Sequence, residues 1–233
     1  MTRSFRSWRQ RVFSVIMFGC VLFVVLTFVA MPFYAGGTSA DPTASGYSFF
    51  TNFFSELGLT ETRTGQPNTV SAILFFTAII VAGSGLVLFF MAFLQFFTQS
   101  KSGRLLSRVG SIFGVISAVC FIGVGFTPAN LYIEAHVAFV MWAFQILPLA
   151  VILYAVAILR EPSYPNRYGF VFVAFAALLV LYVALIITGP GGDSPEGLMI
   201  QVIGQKAIVY AIISSIFIQA HGARKVIQEE ERL

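Results

Sequence analysis

The chain has 233 residues, of which 58% are apolar, 15% aromatic and only 10% charged, and its net charge is +4. A soluble domain carries roughly a quarter charged residues, so this composition, with a mean hydropathy of +0.86, excludes an ordinary soluble enzyme. Most of the surface has to meet hydrocarbon, which makes the chain an integral membrane protein.

The first apolar stretch, 12–33, follows Arg3, Arg6, Arg9 and Arg11 and precedes the small residues Ala35-Gly36-Gly37. A signal peptide shares those flanks, but an apolar core of about 20 residues exceeds the roughly 7–15 of a cleaved segment, so a retained helix is expected. Five further stretches follow at 70–97, 105–126, 136–159, 168–188 and 200–219. Each supplies the about 20 helical residues that cross a bilayer core of about 30 Å. Barrel strands would alternate apolar and polar residues, whereas Val21-Leu22-Phe23-Val24-Val25-Leu26 is apolar on every side. The expected architecture is all-α: one polytopic domain over 1–233, a bundle of six transmembrane helices.

The connection 34–69 is the one long polar stretch. Phe49, Phe50, Phe53, Phe54 and Leu57 recur in it at helical spacing, with Ser48, Thr51, Asn52, Ser55 and Glu56 between them. That pattern predicts an amphipathic segment, either an interfacial helix or a lid over a cavity. Gly58 suits its C-terminal cap, and Gly65-Gln66-Pro67-Asn68 turns the chain into the second helix. In the second and third stretches, Gly83-Ser84-Gly85 and the series Ser107, Gly110, Gly114 and Ser117 read as small-residue packing faces. Gln145 in the fourth, near Trp142 and Pro148, either satisfies a carbonyl freed by the proline or lines a pore. Cys20 and Cys120 lie within apolar helices and read as packing residues. The final Glu229-Glu230-Glu231-Arg232 run reads as a solvated end.

Charge sets the expected orientation. Arg3, Arg6, Arg9, Arg11, Lys101, Arg104, Arg108, Arg160, Arg167, Arg224, Lys225 and Arg232 fall on one side, and Asp41, Glu56, Glu61, Glu134, Asp193 and Glu196 on the other, where Arg63 is the only basic loop residue. Positive loops mark the cytoplasm, so both termini are expected inside. A pI near 9.3 then reflects attraction to anionic inner-leaflet lipids rather than to nucleic acid.

Lys206 is the single basic residue within an apolar span, with Gln201, Gln205 and Tyr210 nearby. An ionisable group there is a functional candidate, although a lysine stem can also snorkel to the interface. His136 opens the fourth helix two residues after Glu134, on the side of Glu56 and near the depth of Lys206. These groups could form a proton relay, a metal site or an acid/base pair. Lys206 beside Glu56 would compensate both charges. Metal ligation is not expected, since His221 falls on the opposite side and neither cysteine is spaced for a tetrahedral site. A serine nucleophile at Ser84 lacks a base.

Two motifs carry a resemblance: Asn52-Phe53-Phe54-Ser55-Glu56-Leu57-Gly58 followed by Asn68 and Leu74-Phe75, and Gly123-Val124-Gly125-Phe126-Thr127-Pro128 ahead of His136. With these the chain resembles the DUF 998 family of six-helix membrane proteins, related to the wider Frag/DRAM/Sfk-like group, over most of its length. The resemblance implies a six-helix fold and, by analogy with the wider group, a role in membrane-lipid biology. Relatives carry a Glu-Arg pair near the start of the last helix where this chain has Gln205-Lys206, so a shared ion-pair role at that position does not carry over.

The expectation is therefore a protein without a cofactor that binds membrane lipids, or a membrane protein partner or second copy, through an outward polar cavity. Its ligand-binding residues would be Asn52, Ser55, Glu56, Glu134, His136, Gln205 and Lys206. The alternatives are an enzyme acting on lipid headgroups, with Glu56 or His136 as base and Lys206 as electrostatic stabiliser, and, behind it, an ion-coupled transporter.

Overall fold

Short polar breaks between long apolar stretches make each helix turn back beside the one before it. The computed structural model describes the backbone of residues 3–232 and the side chains of residues 8–232; the side chains of Arg3 and Arg6, counted above, lie outside the described residues. Six α-helices follow in order: α1 (Arg3–Ala30), α2 (Thr69–Phe93), α3 (Lys101–Phe126), α4 (Ile133–Leu159), α5 (Asn166–Thr188) and α6 (Pro195–Glu230). No strand occurs among the described residues, where only two isolated β-bridges, Gly36 to Ser45 and Glu61 to Pro67, are found. Each helix packs against its neighbours in chain order and α6 closes back on α1, so the six form a ring. All six include a segment long and apolar enough to cross a bilayer, and large apolar side chains such as Phe18, Ile112, Trp142, Phe170 and Leu181 remain exposed around the ring. The chain is a multi-pass membrane protein.

Local signals set the helix ends. Ser100 and Ser194 cap α3 and α6 by accepting from Gly103 N at 2.9 Å and Gly197 N at 3.0 Å, and Pro195 occupies the first turn of α6, where its missing N–H is harmless. The small-residue faces pack helices closely. A Cβ on Gly83 would lie 2.5 Å from Ile122 Cγ1, and one on Gly114 would lie 2.3 Å from Phe90 Cδ2. Ser117 Oγ donates to Ala143 O at 2.8 Å, joining α3 to α4.

The end of the ring away from the loop 34–68 is filled with aromatic rings. Phe93 stacks on Phe89 at 4.8 Å and meets Tyr154 and Tyr164 at 5.2 and 5.5 Å. The Tyr154 hydroxyl donates to Ser111 Oγ at 2.6 Å, and Ser111 donates to Phe90 O at 2.6 Å, so that polar tip is satisfied, whereas the buried Tyr164 hydroxyl has no partner among the described residues.

Helix α6 is 36 residues long, about 54 Å at 1.5 Å per residue, and outruns the expected end at Gln219. Ala220, Ala223, Val226 and Ile227 stay buried beyond it. The acidic run is accordingly more than a solvated end: Glu230 pairs with Arg9 at 3.2 Å, Gln10 donates to Glu231 at 2.7 Å, and Arg9 also bonds Gln95. These contacts tie α1 to the turn that follows α2 and to the C-terminal end of α6.

Gly114→Val should lower the thermal midpoint in detergent by the equivalent of about 1–3 kcal/mol, because Phe90 is fully buried and cannot yield. Gly85→Ala should leave the midpoint near wild type, since a Cβ there meets nothing within 4 Å.

Candidate functional site

The loop 34–68 begins with a tight reversal. Gly37 has φ +85°, and a Cβ on it would press within 2.8 Å of Arg63 Cβ, so only glycine fits. Its carbonyl accepts from the Tyr34 hydroxyl at 3.1 Å and from Asn52 Nδ2 at 2.8 Å. Burial, reinforced by the Glu56 charge, pushes the Tyr34 and Tyr47 hydroxyls well above the usual tyrosine value, so both remain donors.

Asn52, fully buried, is the hub. Its Nδ2 also donates to Glu56 Oε2 at 2.8 Å, its Oδ1 accepts from Ser48 N at 2.8 Å, and its carbonyl accepts from the Lys206 ammonium. Glu56 closes the turn by accepting from Phe53 N at 3.0 Å and pairs with Arg63 Nε at 2.9 Å. Gln205 Oε1 accepts from Phe54 N at 2.7 Å. Thus α6 grips the loop backbone twice, through adjacent side chains.

These bonds displace the expected helix. Over residues 49–57 the chain forms turns and then a single 3-10 turn, Phe54–Gly58, rather than one amphipathic helix. Lys206 takes the Asn52 carbonyl and Gln205 the Phe54 amide, backbone groups that a helix over these residues would pair with its own chain. Phe54 and Leu57 are buried against α2, while Phe50 is exposed. Gly58 is not a left-handed cap. Its role is clearance, because a Cβ would lie 2.6 Å from Phe75 Cδ1.

Lys206 does not snorkel. It is 2% exposed, and its ammonium lies over the rings of Tyr47, Phe49 and Phe54 at 5.4, 5.1 and 5.7 Å. The carbonyl bond and three ring faces offset its desolvation. No acid among the described residues lies within ion-pair distance of it; Glu56 pairs with Arg63 instead. Lys206 and Glu56 meet only through Asn52, the one at its carbonyl and the other at its amide.

Beside this knot lies a cavity of about 560 Å³. Its polar wall includes Ser55, Glu56, Glu61, Arg63, His136 and Gln205, and α4 supplies an apolar wall of Ile133, Val137, Val140 and Met141. Of the sequence-predicted residues, Ser55, Glu56, His136 and Gln205 therefore share one cavity. Asn52 and Lys206 belong to the buried knot, and Glu134 is exposed and apart. Gln201 leaves the predicted polar strip, donating to Leu185 O and Pro190 O at 3.1 and 2.9 Å. Gln145 is half-buried and makes no side-chain hydrogen bond, so it does not satisfy a carbonyl near Pro148.

The His136 Nδ1 lies 2.6 Å from Thr127 O. A carbonyl only accepts, so Nδ1 carries the proton and Nε2 of the neutral ring is an acceptor. Ser55 makes no hydrogen bond to it, so the cavity holds no serine–histidine pair of the kind nucleophilic catalysis uses. Among the described residues no cluster of His, Cys, Asp or Glu is placed to hold a metal ion. Arg63 spends Nε on Glu56, and its terminal nitrogens make no hydrogen bond among the described residues.

Arg63 and the ring cage were not legible as partners beforehand. The signal for Arg63 was its position as the sole cation among the acids of its side, seven residues from Glu56. The cage carried no such signal, since Tyr47, Phe49 and Phe54 reach Lys206 from a distant part of the chain.

Lys206→Met should lower stability by about 1.5–3 kcal/mol, the usual worth of a charged hydrogen bond, and should speed proteolysis within 34–68. Thermal denaturation and limited proteolysis in detergent measure both.

No curated protein and no solved structure matches the chain. The family described as "Protein of unknown function (DUF998)" matches residues 28–213, a span that runs from the end of α1 through the loop and the cavity to the middle of α6. The chain belongs to the DUF998 family.

Proposed function

We propose that this protein binds a membrane lipid in the cavity beside the loop, with the loop end of the ring facing away from the cytoplasm and both chain ends facing it. The single observation that carries the reading is the two-sided character of the cavity. Charged groups line one wall, and the other is the apolar face of α4, where Ile133 and Val137 are 57% and 48% exposed. A polar headgroup and the adjoining hydrocarbon of an amphiphile match those two walls. In this reading Ser55, Glu56, His136 and Gln205 contact the ligand together with Arg63 and Glu61, and Asn52 and Lys206 hold the loop that forms the polar wall. The surplus of basic residues at the opposite end supports the orientation, and a plasma-membrane location follows from the same reading.

Native mass spectrometry of protein purified in mild detergent tests it. Wild type should retain a defined lipid, and Arg63→Ala should reduce retention about tenfold or more, as loss of a charge-assisted contact predicts. Arg63 is 45% exposed at its side chain, and without it the buried Glu56 carboxylate keeps the Asn52 Nδ2 and Phe53 N donors, so the variant should fold. Met141→Trp, which fills the cavity from the apolar wall, should act in the same direction. An empty wild type, or equal retention in both variants, overturns the proposal.

A further inference from the structure

We infer that the bound lipid is an acyl lipid that keeps one chain inside the helix ring, in an apolar slot opening from the floor of the cavity; the inference rests on the lipid-binding reading above. The cavity shares Ser55, Val140 and Gln205 with a void of about 40 Å³ whose remaining walls include Phe23, Phe75, Phe121 and Phe144. That void shares Phe23, Ile79, Phe121 and Val209 with a third, of about 70 Å³, which continues between α1, α2 and α6 to Leu86, Ile212 and Ile216. The three lie end to end with shared walls, and the walls pass from polar to apolar away from the loop end.

Length and chemistry both fit a hydrocarbon chain. From Gln205 to Ile216 the path follows about 16 Å of α6, close to one leaflet of a hydrocarbon core of about 30 Å. Both inner voids exceed the roughly 10–15 Å³ that a water needs, yet Cys20 carries the only side-chain heteroatom lining the deepest one. Water there would lack the two to four partners it requires. A hydrocarbon chain asks for none.

The throat has a different character. Ser55 and Gln205 line both the cavity and the first void. Gln205 Oε1 is committed to Phe54 N, whereas its NH2 group and the Ser55 hydroxyl make no hydrogen bond among the described residues. Two uncommitted donors at the boundary between polar and apolar walls suit an acyl ester, whose oxygens accept and whose carbonyl lies between headgroup and chain.

The test uses the full chain in phosphatidylcholine nanodiscs doped with phosphatidylethanolamine that bears a diazirine at the terminal carbon of one acyl chain. On irradiation, adducts should form on slot residues such as Leu86, Ile212 and Ile216. Val209→Trp, which fills the neck, should reduce those adducts severalfold, because the indole occupies the space the chain would need. Gly85→Val, at a position lining the deepest void where a Cβ meets nothing within 4 Å, provides a second block. If lipid is retained and lost on Arg63→Ala but adducts fall only on bilayer-facing residues such as Met91, the internal chain is overturned and lipid binding stands. Deep adducts unchanged by both blocks place the label in the slot by lateral entry and also overturn the inference. Absence of retained lipid overturns the lipid-binding reading itself.

Discussion

The arrangement at the loop end depends on one buried amino group. An ammonium ion deep in a helix ring is costly unless its charge is spread over partners, and here the partners of Lys206 are the Asn52 carbonyl and three ring faces, all supplied by the loop. Cost and benefit are therefore tied together: the loop can cover the ring because it solvates Lys206, and Lys206 is tolerated because the loop covers it. Asn52 completes the logic by handing the opposite face of the same residue to Glu56, so positive and negative groups share a neutral intermediary.

The two ends of the ring use different physics for the same task. Away from the loop, Phe89, Phe93, Tyr154, Tyr164 and Phe172 fill the interior by area and ring geometry, with a single satisfied hydroxyl chain through Ser111. At the loop end the filling is a folded backbone, whose polar groups must each find a partner. Asn52, Asn68, Ser71 and Gln205 supply those partners to a segment with little regular structure. A packed aromatic end leaves no space, whereas a loop braced by hydrogen bonds leaves a cavity at its margin.

Hydropathy alone exposed the six spans, because a helix facing lipid advertises itself in every residue. The same signal stopped short where burial continued outside the apolar window, as at Ala223 and Ile227, which pack although charges surround them in sequence. Periodicity misled at Phe49 to Leu57: the spacing is helical, but side-chain amide bonds and the close approach of Gly58 to Phe75 bend the segment into turns. Ser55, Glu56, His136 and Gln205 were legible as a group because charge and span boundaries put them at one depth. The Arg63 pairing, the ring cage and the departure of Gln201 toward α5 were not, since each depends on which way a side chain leaves the backbone.

The hydrogen bonds that seat the loop join residues 154 and 151 positions apart, and this imposes an order on biosynthesis. Chains are made from the N-terminus, with early segments exposed while later ones are still being added. The loop after the first span is complete when five-sixths of the ring has yet to be finished, and until the last helix arrives its amide at Phe54 lacks Gln205 and its carbonyl at Asn52 has the Tyr47 hydroxyl but not the Lys206 ammonium. The first connection to be synthesised is therefore among the last parts of the molecule to acquire its shape.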